Sequence, residues 1–175
     1  RGDRGIARKF NDNGLAQMKE NKITEAIFSF TKAAEADPAD IEIINNLAVA
    51  LFENNRFDDG LEVLEKAFLL SIDRTIPWFS LYDALARQHL DINSTCGSLL
   101  LALKFSKNQT KTLDFIENDI LKNSDEVTKI SKREAINCAK DKLKYTAKIS
   151  NDHDIKNNKF SPKNIENNTF MPYGK

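Results

Sequence analysis

Residues 24–40, "TEAIFSFTKAAEADPAD", decide the fold that the sequence predicts. Their apolar side chains recur at intervals of three and four residues, which is the spacing of one face of an α-helix. Small residues on that face let a second helix approach closely, and proline ends the helix because it has no N–H to donate. The positions concerned are Ala26, Phe30, Ala33, Asp37 and Pro38.

The apolar pattern starts again after this proline and repeats. Residues 11–34 align without a gap on residues 45–68, which gives a period of 34 residues. A further period reaches Trp78 and Leu81, and the polar turns "KENK" and "ENNR" separate the two helices of the first and second units. Because alternation of period two is nowhere sustained, the chain is predicted to be all-α and built from helix-turn-helix units.

A helix-turn-helix unit of 34 residues resembles the tetratricopeptide repeat. The first unit carries most of the signature, at Phe10, Gly14, Ala26, Phe30, Ala33 and Pro38. It departs from the signature at Asn13 and Gln17, where leucine and tyrosine are usual, and the third unit has Tyr82 in place of a small residue. The second helix of the third unit fits only after one inserted residue, which gives Thr95, Leu99 and Ala102 as its packing positions.

The resemblance implies an all-α solenoid of about three units with C-terminal capping helices and a flexible tail. A cap is expected because the last unit would otherwise expose an apolar face, and Ile116, Ile136 and Ala139 lie on apolar stripes suited to covering it. The expected boundaries are 1–6 for the terminus, 7–40, 41–74 and 75–107 for the units, 108–149 for the cap and 150–175 for an Asn- and Lys-rich tail.

The resemblance also explains the small residues of the opening stretch. Gly14 and Ala26 are expected where the two helices of a unit cross, and Ala33 where one unit meets the next. Phe30 is expected to fill the remaining space between the helices. These positions predict a core of small residues around one large ring.

Composition excludes several classes of partner. The chain has 26 basic and 26 acidic side chains, so charge gives no reason to expect nucleic acid or an anionic membrane as a partner. No apolar run approaches the ~18 residues of a membrane helix, so membrane insertion is not expected and a cytoplasmic location is favoured. Cys96 and Cys138 are too sparse for a disulfide framework and are expected to be reduced, small apolar residues. Because the first residue is Arg1, we expect a processed product or a fragment.

The sequence offers no group of residues suited to catalysis. His89 and His153 are the two histidines, and a metal site needs several convergent ligands that no spacing here supplies. Glycine-rich phosphate loops and nucleophile motifs are also absent. The acidic pair Asp58 and Asp59 is expected at a helix start, where it favours the helix dipole. We therefore predict a binding module and no enzyme, catalytic residue, metal or cofactor.

In an array of this kind the first helix of each unit lines a concave face. If Phe10, Gly14 and Gln17 face the core, side chains about 100° away line the inner surface. The predicted peptide-binding groove is Asn11, Leu15, Met18, Asn45, Asn46, Val49, Phe52, Phe79 and Asp83. Aligned apolar groups indicate a protein or peptide partner with apolar anchors, and asparagine amides suit a peptide backbone.

Some members of the family bind the acidic C-termini of chaperones through a clamp of basic residues and asparagine. Asn46 matches the asparagine of that clamp, but Asn11 and Leu15 in the first unit, and Ile76 and Ser80 in the third, are not basic. An acidic tail is therefore not the expected partner, and an extended or helical segment with apolar anchors is preferred.

The leading interpretation of the sequence is a non-catalytic adaptor, but several other interpretations fit the same pattern. The chain is also similar to the small three-repeat helical chaperones that shield export substrates in bacteria, and it could be an interaction or targeting segment of a larger enzyme. Self-association is possible if "NTFMPYGK", residues 168–175, enters the groove of another copy. Alternatively, the final helix or the tail of the same chain fills the groove.

Overall fold

A computed structural model describes residues 2–122 and 125–154, with side chains for residues 2–118 and 125–144. Over these residues the ordered elements are all helices, joined by short turns. In chain order they are α1 (Arg4–Lys19), α2 (Ile23–Ala36), α3 (Ile41–Glu53), α4 (Phe57–Leu70), α5 (Thr75–Arg87), α6 (Ile92–Phe105), α7 (Gln109–Lys122) and α8 (Glu126–Asp154).

The helices pack as successive hairpins. The hairpins are α1 with α2, α3 with α4, and α5 with α6. The first hairpin contacts the second through α2 and α3, and the second contacts the third because α5 packs against both α3 and α4. This arrangement is the all-α helical solenoid that the repeat pattern predicts. The cap differs from a fourth hairpin, because α8 rather than α7 makes most of the packing against α6.

Both ends of the helical region extend beyond the expected boundaries. Residues 4–6, expected to precede the first unit, form the first turn of α1. Asp3 caps this helix by accepting the N–H groups of Gly5 and Ile6 at 3.0 Å, which satisfies two donors at the helix start. At the other end, residues 150–154, expected to begin the tail, belong to α8. The remaining tail, 155–175, lies outside the described residues, and so does the segment 168–175 with its apolar side chains Phe170, Met171 and Tyr173.

The backbone of the turns repeats with the same period as the sequence. Asn21, Asn55 and His89 have positive φ angles of 59°, 57° and 52°, and each lies 34 residues from the next. The residue after each one donates its N–H to a carbonyl five residues earlier, at 2.9, 2.9 and 3.2 Å. This is the Schellman termination, which uses a left-handed residue to satisfy the last carbonyls of a helix. The first helix of each of the three hairpins therefore ends in the same way.

The small residues of the opening stretch lie where the sequence predicts. A Cβ added to Gly14 would lie 2.6 Å from the Phe30 ring, so α1 and α2 approach closely because residue 14 has no side chain. Phe30 is 1% exposed, and Ala33 is fully buried with Ala7 and Ile43, between the first and second hairpins. Phe30 therefore fills the space that Gly14 leaves.

The third hairpin contains the insertion that the sequence predicts. α6 begins at Ile92, one residue later than a strict period from α4 allows. Thr95, Leu99 and Ala102, the packing positions expected after that insertion, are all 0% exposed. The degenerate third unit therefore keeps the same buried face as the first two.

The two cysteines are not reduced, which corrects the expectation from the sequence. Cys96 of α6 and Cys138 of α8 form a disulfide, with their Cα atoms 6.0 Å apart and a separation of 42 positions in the sequence. Sparse cysteines do not form a framework, but a single pair forms a bond when a helix folds back on an earlier one. The spacing along the chain carries no signal of that contact.

Candidate peptide-binding surface

Four of the predicted groove residues lie together on α1 and α3. Asn46 donates its side-chain N–H to Oδ1 of Asn11 at 2.9 Å, which joins the first helices of the first two hairpins. Leu15, one turn after Asn11, is 40% exposed, and Val49, three residues after Asn46, is half-buried. We call these residues, Asn11, Leu15, Asn46 and Val49, the α1–α3 surface. It combines two accessible aliphatic side chains with an amide pair.

Two side chains that were predicted to anchor a peptide, Met18 and Phe52, pack within their own hairpins. Met18 packs against the buried cluster that contains Ala26 and Phe30. The ring of Phe52 lies against Gly60 of α4, so closely that no side chain fits at position 60, and it is 5.5 Å from the ring of Phe57. Both side chains are partly exposed, but their main contacts are with the second helix of their own unit.

The predicted backbone-binding asparagine of α3 is largely buried. Asn45 is 5% exposed, and its Oδ1 is buried without a hydrogen-bond partner among the described residues. Asn46, the next residue, is the one that reaches α1. Of the two neighbouring asparagines, only Asn46 is thus placed on the accessible α1–α3 surface.

The predicted groove residues of α5 are covered by later helices of the same chain. Phe79 packs against a buried cluster that includes residues of α8, and its ring is 5.9 Å from the rings of Tyr82 and Phe115. Asp83 forms an ion pair with Lys132 of α8 at 2.5 Å. Lys132 itself is 1% exposed, so α8 lies directly over this side of α5.

A chain of charges links α3, α5 and α8. Arg87 of α5 contacts Glu53 of α3 at 3.0 Å and Asp83 at 2.7 Å, and Asp83 continues to Lys132. The pairs become less exposed toward α8, where the Lys132 side chain is 2% exposed. Residue spacing does not point to Lys132, because its role depends on how α8 folds back.

A polar cleft of about 360 Å³ lies at the start of α1 and α3. Its charges are balanced, since three arginines face three carboxylates and two ion pairs join them, Arg4 with Asp37 at 3.7 Å and Arg74 with Glu42 at 3.6 Å. A cleft of balanced charge does not favour an anion or a cation. Its charged lining residues are Arg4, Arg8, Arg74, Asp37, Asp40 and Glu42.

The histidine and the acidic pair that were examined for catalysis or metal binding lie on exposed turns and helix ends. His89 is exposed in the turn after α5, and Asp58 and Asp59 lie in the first turn of α4. Across residues 2–118 and 125–144 the acidic, histidine and cysteine side chains form no group of three or more suited to a metal ion. Among the helices described, none has both the length and the apolar content needed to cross a membrane.

Two comparisons with known proteins bear on this architecture. A search of curated proteins finds no match to the chain. A family model described as "Tetratricopeptide repeat" matches residues 17–70, which span the end of α1, all of α2 and α3, and α4. Over residues 17–70 the chain is therefore similar to the tetratricopeptide-repeat family.

Proposed function

We propose that this protein is a non-catalytic adaptor that binds a peptide or helical segment of a protein partner on the α1–α3 surface. Tetratricopeptide repeats generally mediate protein–protein interaction and typically serve as interaction modules. The observation that carries the proposal is the Asn11–Asn46 hydrogen bond, because it joins α1 and α3 into one surface beside the accessible side chain of Leu15.

The chemistry of this surface favours a partner with apolar anchors. Leu15 and Val49 offer aliphatic contact, and the amides of Asn11 and Asn46 can each still donate or accept beyond the bond that they share. A peptide that covered Leu15, which is 40% exposed, would gain roughly 0.6 to 1.2 kcal/mol from that side chain, about two fifths of the value for a fully exposed leucine. The absence of basic residues at these four positions argues against an acidic tail as the ligand.

The packing of each side chain decides which variants test the proposal. Phe52 packs on Gly60, so Phe52→Glu would place a charge between α3 and α4 and disturb the fold. Leu15→Glu is the cleaner variant because Leu15 is 40% exposed on a helix. Phe28→Glu is a matched control, since Phe28 is 62% exposed on α2, a helix that contributes none of the four residues of the α1–α3 surface.

Peptides selected from a displayed random library, and then titrated against the full chain, test this function. We expect the selected peptides to carry apolar anchors and to bind Leu15→Glu at least ten times more weakly than the unmodified protein. Phe28→Glu should bind them with less than a twofold change. Selection of acidic C-terminal peptides, or binding that is indifferent to Leu15→Glu, would overturn the proposal.

The location favoured by the sequence also changes with the disulfide. We infer an oxidising compartment, because disulfides such as Cys96–Cys138 persist there and are rare in the cytoplasm. Alkylation of the protein in its native cells, followed by mass measurement, tests this inference. Blocked thiols at Cys96 and Cys138 support it, and two alkylated cysteines contradict it.

A further inference from the structure

Among the residues whose side chains are described, a disulfide and a buried ion pair help to attach α8 to the third hairpin. The disulfide joins Cys138 of α8 to Cys96 of α6, and Lys132, six residues before Cys138, reaches Asp83 of α5 at 2.5 Å. Both links come from the same short part of α8. The ion pair holds α8 over the side of α5 that carries Asp83.

Apolar packing of this part of α8 is limited. Its side chains in the buried cluster are Ile136 and two alanines, Ala135 and Ala139, with Leu143 and Cys138 only partly buried. Alanine removes little apolar surface from water, because it has a single methyl group. Other side chains of α8 face solvent, including Val127 at 57% and Ile130 at 53% exposure. The covalent bond therefore adds to an apolar contact in which α8 itself contributes one large buried side chain, Ile136.

We propose that the Cys96–Cys138 disulfide is a redox-controlled latch, and that its reduction by a dithiol releases α8 and uncovers Asp83 and the side of α5 around it. This inference rests on the proposed function in one respect: the uncovered side of α5 would extend the α1–α3 surface. Glu53 of α3 already contacts Arg87 of α5 at 3.0 Å, so the two helices are neighbours. The latch then controls how long a partner segment the protein can bind.

The reduction step is ordinary thiol–disulfide exchange. A thiolate of the dithiol attacks one sulfur, the other sulfur leaves as a thiolate and takes up a proton, and a mixed disulfide forms. The second thiolate of the reductant then attacks its own sulfur in the mixed disulfide, which releases the second protein thiol. Two electrons pass to Cys96 and Cys138, and the reductant leaves as its cyclic disulfide. Cys138 is the accessible partner, since it is partly buried while Cys96 is fully buried.

Loop closure gives the size of the expected effect. The bond joins residues 42 apart, and the chain-entropy estimate for a loop of this length sets an upper limit on the order of several hundredfold on the change in the equilibrium between attached and released α8, because parts of the loop stay helical. Such a change is large enough to convert a helix that is nearly always attached into one that is often released. α1–α4 contain neither cysteine and should not respond.

Hydrogen–deuterium exchange on the full chain, with and without dithiothreitol, tests the latch. We expect amides in residues 126–144 to exchange at least tenfold faster after reduction, while those in α1–α4 change less than twofold. The double variant Cys96→Ser/Cys138→Ser should match the reduced protein and ignore dithiothreitol. Unchanged exchange in residues 126–144, or a rise in every helix at once, would overturn the proposal.

The readout needs no partner, so it is independent of the peptide experiment. If the latch opens but no peptide depends on Leu15, the proposed function fails and the latch stands. If peptides depend on Leu15 and α8 does not respond to reduction, the latch fails and the proposed function stands. Protein purified without reductant that shows two alkylatable thiols, and does not form the disulfide with an oxidant, would also overturn the latch.

Discussion

Gly14 of α1 lies directly against the ring of Phe30 on α2, and three ring atoms would be within 2.9 Å of any Cβ at position 14. Helical glycine ordinarily costs stability, by roughly 0.5 to 1 kcal/mol relative to alanine. Here the close approach of the two helices requires it. The contact gives a direct test of helix packing in the first unit.

We expect Gly14→Ala to destabilise the protein, because the methyl group must displace a ring that is 1% exposed. Overpacking of this kind costs about 1 to 3 kcal/mol, which exceeds the gain in helix propensity. Urea unfolding followed by circular dichroism measures the change.

The chain supplies its own control for this substitution. Gly97, also within a helix, has no atom within 4 Å of an added Cβ, so Gly97→Ala should stabilise the protein by about 0.5 to 1 kcal/mol. Equal shifts in the same direction for the two variants would show that propensity, and not the Phe30 contact, decides the outcome.

The ion pair between Lys132 and Asp83 is expected to be asymmetric. Asp83→Asn removes the carboxylate at 2.5 Å from a lysine that is 1% exposed, and loss of one partner of a buried pair costs about 3 to 5 kcal/mol. Lys132→Met removes the buried charge and keeps much of its volume, while Asp83 keeps Arg87 at 2.7 Å. We therefore expect Lys132→Met to cost about 2 kcal/mol less.

Urea unfolding of both single variants and of the double variant measures this asymmetry as a mutant cycle. The disulfide must be intact in all four proteins, so that only the ion pair differs. Costs that are equal, or that simply add in the double variant, would contradict a direct interaction between the two side chains.

The fold could be predicted from the sequence because its evidence is local and repeats. Helix stripes, polar turns and the 34-residue period lie within short stretches, and even the inserted residue of the third unit follows from where Thr95, Leu99 and Ala102 fall. The family match to residues 17–70 covers much of the same region.

The candidate site was less predictable because its details depend on contacts between distant residues. Phe52 was predicted to line the groove only from its angular position around the α3 axis. The same position also lets its ring pack against Gly60 of α4, and this contact is the one that the structure shows. The contacts of Asp83 with Lys132 and of Cys96 with Cys138 depend on the path of α8. No periodicity in the sequence encodes that path.

Acid should loosen the start of α8. Hydrogen bonds from the Thr128 hydroxyl, and then from the backbone N–H groups of Thr128 and Val127, lower the pKa of Asp125 to about 2. A carboxyl whose pKa is lowered by folding stabilises the helix start above its ordinary pKa, near 4, and this contribution is lost as the pH falls toward 2. We expect the amide signals of Val127 and Thr128 to report fraying over that range in NMR spectra.

Two variants separate this cap from the general effect of acid. Asp125→Asn keeps a capping side chain without a titrating carboxyl, so the fraying at residues 127 and 128 should no longer follow pH between 4 and 2. Thr128→Val removes the strongest hydrogen bond and should raise the pKa of Asp125 toward its ordinary value. A transition that persists unchanged in Asp125→Asn would assign it to another carboxyl.

The left-handed turns give a last test of the repeat, because the same backbone carries different residues. Asn21, Asn55 and His89 all have φ between 52° and 59°. Left-handed backbone costs roughly 1 to 2 kcal/mol for most residues, and asparagine tolerates it better than histidine. Glycine at position 89 should therefore stabilise the protein by about 1 kcal/mol, and glycine at 21 or 55 by less.

Thermal unfolding of His89→Gly, Asn21→Gly and Asn55→Gly measures this order. Asn54→Gly is the control that should not stabilise the protein, because φ at position 54 is −87°. A destabilised His89→Gly would mean that the third turn does not share the termination of the first two.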